Sequence, residues 1–282
     1  MIGPIIFEID TMAEYHRIVQ LVMDNGEKRS PRGLVTRDVG HTTIVLNNIA
    51  NALPIGLGRK LNPAIGAVEA IQLIAGRPDP ELVVKVAPQF KQYLDGGTFH
   101  GSYGKRIKRQ MQTVTRRLKN DPNTRQAVVT LWDPEIDAFD GMRDYPCTIA
   151  LGFSISMDGL LEMNVLMRSN DVWRGLAYDV FQFTQLQWTL ARILGVVAGT
   201  YRHTTWSLHL YETDLKAAEG VMNQPRDVYD STWQPSGIGE PGSTMMHAMN
   251  RASAIMRGNE PHDITDSERW YLEQLHPKAD LG

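Results

Sequence analysis

The chain has 282 residues, 42% of them apolar, and a formal net charge of −3 at pH 7. That is enough chain to bury one large core, and the near balance of charge excludes the global basic field that nucleic-acid binders use, so any anion site has to be built locally. Cys147, the single cysteine, excludes both an internal disulfide and a cysteine-based metal centre. No apolar run reaches the roughly 18 residues needed to cross a bilayer, and Met1 to Asp10 lacks the basic start and apolar stretch of a signal peptide. The expectation is a cytoplasmic protein with no metal, no membrane association and no nucleic-acid partner.

In chain order, the apolar spacing of Met12, Tyr15, Ile18, Val19 and Val22 predicts a helix to Asn25, and Gly26 to Gly33 reads as a polar loop. Thr36 to Leu46 has the β-branched content of a strand. Pro63 starts an apolar helix that Gly76 stops, with Glu69 inside it. Tyr103 to Leu118 predicts a helix solvated on one side. Strands follow at Gln126 to Trp132, Thr148 to Ser156 and, after the Met157-Asp-Gly turn, Leu160 to Met167. Asp179 to Leu194 is a long apolar helix, and from about Gln224 the chain turns polar and rich in proline and glycine, predicting an irregular extension. The simplest organisation is one α+β domain over residues 1–282.

Cys147 follows Pro146 at the entrance to a strand, so a rigid turn places its thiol at a sheet edge. A lone cysteine is more often a small buried hydrophobe than a nucleophile, but the stretch from Met167 to Val180 carries two arginines, a serine and two aspartates between a strand and an apolar helix. A polar loop with a helix cap accounts for one aspartate at most. Glu69 is equally out of place, because a buried carboxylate is costly and has a raised pKa unless a buried cation pairs with it. His209 and Tyr211 alternate along a predicted strand and therefore share one side.

Pro146-Cys147, then Arg168-Ser169-Asn170-Asp171 with Gly175 and Asp179, then His209-Leu210-Tyr211, resembles in order and spacing the signature of the thymidylate synthases and pyrimidine hydroxymethylases. Tyr103-Gly104-Lys105, Thr124-Arg125 and Glu69 fall where that family has its tyrosine, partner-subunit arginine and catalytic glutamate, so the resemblance spans roughly Arg32 to Asp214. It implies a large mixed sheet flanked by helices, paired back to back in a homodimer. It also implies 5,10-methylenetetrahydrofolate as co-substrate, with Cys147 attacking carbon 6 of a pyrimidine nucleotide, Glu69 and Tyr103 moving protons, and Arg168 beside the thiol lowering its pKa. Arg168, Ser169, Arg125 from the partner, and Arg32 (or its neighbour Arg37) would hold the phosphate. His209 and Tyr211 would bind the ribose, and Asp171, Gly175 and Arg59 the folate.

Asp179 departs from the asparagine by which thymidylate synthases read uracil. A carboxyl suits cytosine, whose ring edge reverses the donor and acceptor of uracil, and a mismatched buried pair costs about 1–3 kcal/mol per group. Ala177, where the family usually has proline, hints with Arg174 at a reshaped pocket and bears only on ribose against deoxyribose, which stays open. Thr148 replaces the usual histidine, Trp206-Ser207 replaces a Gly-Asp pair, and the end from His276 to Gly282 lacks the synthase tail. Together these imply a hydroxymethylase for CMP or dCMP that adds water to an exocyclic methylene. The alternatives are a uridylate hydroxymethylase or thymidylate synthase, and a non-catalytic nucleotide-binding relative.

Overall fold

The computed structural model describes residues 4–55, 59–222 and 234–277. The expected start of the extension at Gln224 and the last residues from Lys278 lie outside the described residues. Strand β1 (Ile5–Ile9), helix α1 (Tyr15–Asn25) and strands β2 (Glu27–Arg29), β3 (Thr36–Asp38) and β4 (Thr42–Leu46) open the chain. Helices α2 (Pro63–Ala75), α3 (Pro80–Val86) and α4 (Tyr103–Asn120) follow, then β5 (Val128–Thr130) and the single turn α5 (Pro134–Asp137). The centre is β6 (Thr148–Ile155), β7 (Leu160–Met167), β8 (Asn170–Asp171), α6 (Leu176–Leu194), β9 (Val197–Thr205) and β10 (Leu208–Tyr211). Helices α7 (Leu215–Met222), α8 (Met245–Met256) and α9 (Asp266–Leu275) complete it.

Six strands form a mixed sheet in the order β1-β4-β9-β7-β6-β5, and β2-β3-β10-β8 form a smaller second one. On the main sheet Ile44, Leu46, Tyr201, His203, Met163, Val165, Met167, Leu151 and Phe153 alternate onto one buried face. Helix α6 packs on that face and α2 packs on α6, which gives helix-on-sheet layers around one core. The opposite face is open: Ile6, Val128 and Val197 are exposed there, among half-buried polar residues such as Arg202 and Glu162.

The predicted single strand Thr36 to Leu46 is two strands in different sheets, because Gly40 turns the chain with φ of 75° in a region closed to most side chains. The segment read as a loop contains β2, whose charged Glu27-Lys-Arg29 register antiparallel to β3 on a solvated edge. The late segment read as irregular contains α8 and α9, both packed on α2. Their turns of polar and glycine residues hid a helical spacing of Met245, Ala248, Met249, Ala252, Ile255 and Met256, with a capping box from Thr265 to Glu268.

Arg251 locks these two helices, donating Nε to Glu268 Oε1 at 2.5 Å and Nη2 to Oε2 at 2.7 Å, with Glu268 fully buried. Removing one partner of such a pair strands a buried charge. Arg251→Met is expected to lower unfolding free energy by about 3–5 kcal/mol, read as a fall in the urea midpoint. A midpoint within a few tenths molar of wild type would show that the pair is dispensable.

Candidate active site

Strand register assembles the centre. Because β6 and β7 are antiparallel, Thr148 at the start of β6 lies opposite Met167 at the end of β7, so Cys147 and Arg168 meet there. The Arg168 backbone N–H donates to the Cys147 carbonyl at 2.8 Å, and the Arg168 side chain donates to the carbonyls of Pro146 (3.0 Å) and Tyr145 (3.3 Å). A register shift between Thr148 and Ala150 places a bulge just after the cysteine, as bulges often do where a side chain must be re-aimed. Ser169 Oγ sits 3.9 Å from the Cys147 sulfur.

Arg168 lowers the thiol pKa, as expected, but burial outweighs it. Burial pushes the Cys147 thiol above its ordinary pKa, and the Arg168 charge offsets that only in part. Tyr103 stands over the same point, its ring stacked on Phe183 at 6.0 Å, and its hydroxyl oxygen accepts from Thr148 N–H (3.2 Å) and Thr148 Oγ1 (3.0 Å). Thr148, singled out in sequence as a departure, thus aims the tyrosine and leaves the phenolic hydrogen free. Burial, then the nearby Cys147, hold Tyr103 neutral well beyond its usual range. Gly104 permits this placement, since a Cβ there would lie 2.4 Å from the Gln72 carbonyl oxygen of α2.

Two carboxyls face each other from packed helices. Glu69 on α2 is pushed up to about 8 by burial and then by the charge of Asp179. Among the described residues no cation pairs with it, so none of them gives the structural explanation that a buried arginine would offer. Asp179 lies in the first turn of α6 and is pushed up to about 6, chiefly by burial. It accepts from Asn170 Nδ2 at 2.6 Å and from Gln182 Nε2 at 3.0 Å.

Cys147, Glu69, Asp179, Arg168 and Arg32 line both of two adjoining hollows of about 390 and 1210 Å³. The smaller also takes in Tyr103, Asp144 and Gln182. The larger is edged by Ser169, Asp171, Gly175, His209, Tyr211 and the aromatic rings of Trp132, Phe139 and Tyr178. Its size and rings fit a flat heterocycle with a polar tail. Asp171 adds an acceptor: its Oδ2 is buried and receives no hydrogen bond, while Oδ1 takes the N–H groups of Trp173 and Arg174. A ring-lined cleft with one carboxylate oxygen that receives no hydrogen bond and has only the Arg174 Nε at 3.9 Å beside it fits the pterin of a folate.

A family model described as Thymidylate synthase matches residues 13–231. The chain belongs to the thymidylate synthase family. It is 28% identical over 278 residues to a deoxyuridylate hydroxymethyltransferase of Bacillus phage SP01, across 90% of this chain and 72% of that protein. A deoxyuridylate hydroxymethyltransferase of Pseudomonas phage M6 is 29% identical over 79% of this chain and 67% of its own length. A putative thymidylate synthase of Methanothermobacter thermautotrophicus is 29% identical over 76% of this chain and 97% of its own length. The mixed sheet flanked by helices is the fold expected of this family, whose enzymes transfer a one-carbon unit to a pyrimidine nucleotide. No group of three or more metal-ligating side chains occurs among the described residues, and no described helix is long and apolar enough to cross a membrane.

Within this thymidylate synthase frame, eleven of the residues read from sequence converge on the hollows: Cys147, Glu69, Tyr103, Asp179, Arg168, Ser169, Arg32, Asp171, Gly175, His209 and Tyr211, the last two in a ring contact at 5.4 Å. Of the two early arginines, Arg32 lines the hollows whereas Arg37 lies on β3 at 4.0 Å from Glu212. Arg125 is exposed ahead of β5 and lines neither hollow of this subunit. Arg59 also lies outside both, donating to the Tyr15 hydroxyl at 2.8 Å with its guanidinium 4.6 Å from the Trp173 ring. Sequence reading gave Asn170 a place in the motif but no role, and passed over Gln182 and Asp144. Gln182 carried a signal, being a polar residue three positions after Asp179 and so on the same side of the helix.

Proposed function

We propose that this protein is a cytidylate 5-hydroxymethylase, using 5,10-methylenetetrahydrofolate to modify carbon 5 of CMP or dCMP. The observation that carries the base assignment is the Asp179 carboxyl, placed where the two hollows meet and pushed up to about 6, chiefly by desolvation. A carboxyl poised there can share a proton with the cytosine ring nitrogen while accepting from the 4-amino group; toward oxygen 4 of uracil it presents a lone pair.

The folate, when bound, supplies the one-carbon unit. Cys147 adds through sulfur to carbon 6, making carbon 5 nucleophilic, and leaves again when the product forms. Glu69, protonated at neutral pH, gives its proton to the base as Cys147 adds to carbon 6, and the carboxylate so formed, beside the neutral Tyr103, takes up the proton lost from carbon 5. Water completes the reaction by adding to the exocyclic methylene, its oxygen to the carbon and its proton to solvent. Arg168, Ser169 and Arg32 hold the phosphate; His209 and Tyr211 hold the ribose; Asp171 and Gly175 meet the folate, and Arg59 reaches its carboxylates. A homodimer through the open sheet face would bring Arg125 to the partner's phosphate site, consistent with its exposure here.

A second reading, a uridylate hydroxymethylase, is favoured by the names of the two phage relatives. Incubation with methylenetetrahydrofolate and each of CMP, dCMP, UMP and dUMP separates the readings. The expected product is a 5-hydroxymethylcytidylate without the absorbance rise of dihydrofolate; a rise in that absorbance would sink the hydroxymethylase assignment. Asp179→Asn is expected to shift the kcat/KM ratio at least about tenfold toward uridylates, the scale of 1–3 kcal/mol per mismatched group. An unchanged ratio contradicts the role given to Asp179.

A further inference from the structure

We infer that Asn170 and Gln182 are specificity-determining positioning residues, which set the choice of pyrimidine by holding the two oxygens of Asp179. This rests on the cytidylate reading and deepens it. Both side chains are more than nine-tenths buried. Each gives one N–H to a different oxygen of the carboxyl: Asn170 Nδ2 to Oδ2 at 2.6 Å, Gln182 Nε2 to Oδ1 at 3.0 Å. Asn170 Nδ2 also contacts Met167 Sδ at 3.4 Å, which ties its amide to the end of β7.

As oriented, the two donors match a carboxyl. With asparagine at 179 one position becomes an NH2, and Asn170 must turn its amide so that Oδ1, which has no partner here, accepts from it. The amides as placed therefore fit an acid at this position. An ionised carboxyl offers about four acceptor sites. Two are taken by the amides, so the plane of the group is fixed, and the remaining lone pairs are those available to a base in the hollows that Asp179 lines. The cytosine 4-amino group meets them as a donor; the uracil oxygen meets them as an acceptor. Gln182 itself lines the smaller hollow beside Asp179, so its loss changes the reading edge without touching Cys147 or Glu69 directly.

Steady-state kinetics on the four nucleotides tests this with Gln182→Met, which keeps length and removes the donor, and separately with Asn170→Ser, which is too short to reach. Each is expected to lower the cytidylate-to-uridylate ratio of kcat/KM by about tenfold, through a rise in KM for cytidylate. In an Asp179→Asn background, Gln182→Met is expected to change that ratio by less than twofold, because the carboxyl it serves is gone. A merely structural role would depress both nucleotides alike. Wild-type preference for cytidylate with an unmoved ratio in both single variants overturns the inference and leaves the cytidylate reading standing. Wild-type preference for uridylate overturns the cytidylate reading and the inference with it.

Discussion

Cys147→Ser is expected to lower release of tritium from carbon 5 of the nucleotide by a factor on the order of 10^4 or more, the scale seen when an enzyme loses its nucleophile. A serine hydroxyl is far too weakly acidic to add to carbon 6 at neutral pH, and no second cysteine can substitute. Nucleotide binding should persist, since Arg168, Ser169 and Arg32 are unaltered; residual exchange above a hundredth of wild type would remove Cys147 from the mechanism. The same residue makes a pH prediction. Burial holds the thiol above its ordinary value despite Arg168, so alkylation of the free protein by iodoacetamide should accelerate with pH well into the alkaline range. A plateau already reached at pH 7 would mean that the guanidinium outweighs burial.

Glu69→Gln is expected to cost about 10²- to 10⁴-fold in kcat, the contribution of a positioned acid or base, and to stabilise the fold at the same time. The carboxyl rises from an ordinary 4.5 to about 8 on folding, so the folded state binds this proton more tightly. Its contribution to stability is then fully present below pH 4.5 and is lost as pH rises through about 8. Asp179, raised to about 6, acts in the same direction over a narrower window above its ordinary 3.8. Glutamine at 69 escapes the penalty. The Tm of the variant should match wild type near pH 4.5 and exceed it increasingly toward pH 8, with an upper limit of about 4 kcal/mol from the size of the shift. A Tm difference independent of pH would show that Glu69 is not the group that titrates. Loss of rate with gain of stability marks a carboxyl retained for chemistry.

Much of the candidate site was legible because short segments carry their own signals. Pro146 before Cys147, the run Arg168-Ser169-Asn170-Asp171 at a strand end, and Glu69 inside an apolar helix are each anomalous against local pattern, and local pattern is what sequence displays. The period-two and period-3.6 segments likewise predicted β6, β7, α2, α4 and α6 at nearly their observed bounds. Where one glycine changes the direction of the chain, as Gly40 does between β3 and β4, the composition of the surrounding strand gave no warning. Nor could polar content reveal α8 and α9, whose stability comes from packing on α2 and from the Arg251 and Glu268 pair.

Sequence by itself determined the family, and it supplied the candidate nucleophile and the acid at 179, because these are questions of which residue types occur in what order. The energetic state of those residues was decided only in three dimensions. Whether Arg168 or burial controls Cys147, whether a cation relieves Glu69, which of Arg32 and Arg37 faces the hollows, and which amides hold Asp179 all depend on distance and on exclusion of water. Those quantities arise when β6, β7, α2 and α6 pack together, and Coulomb and desolvation energies follow from them, not from order along the chain.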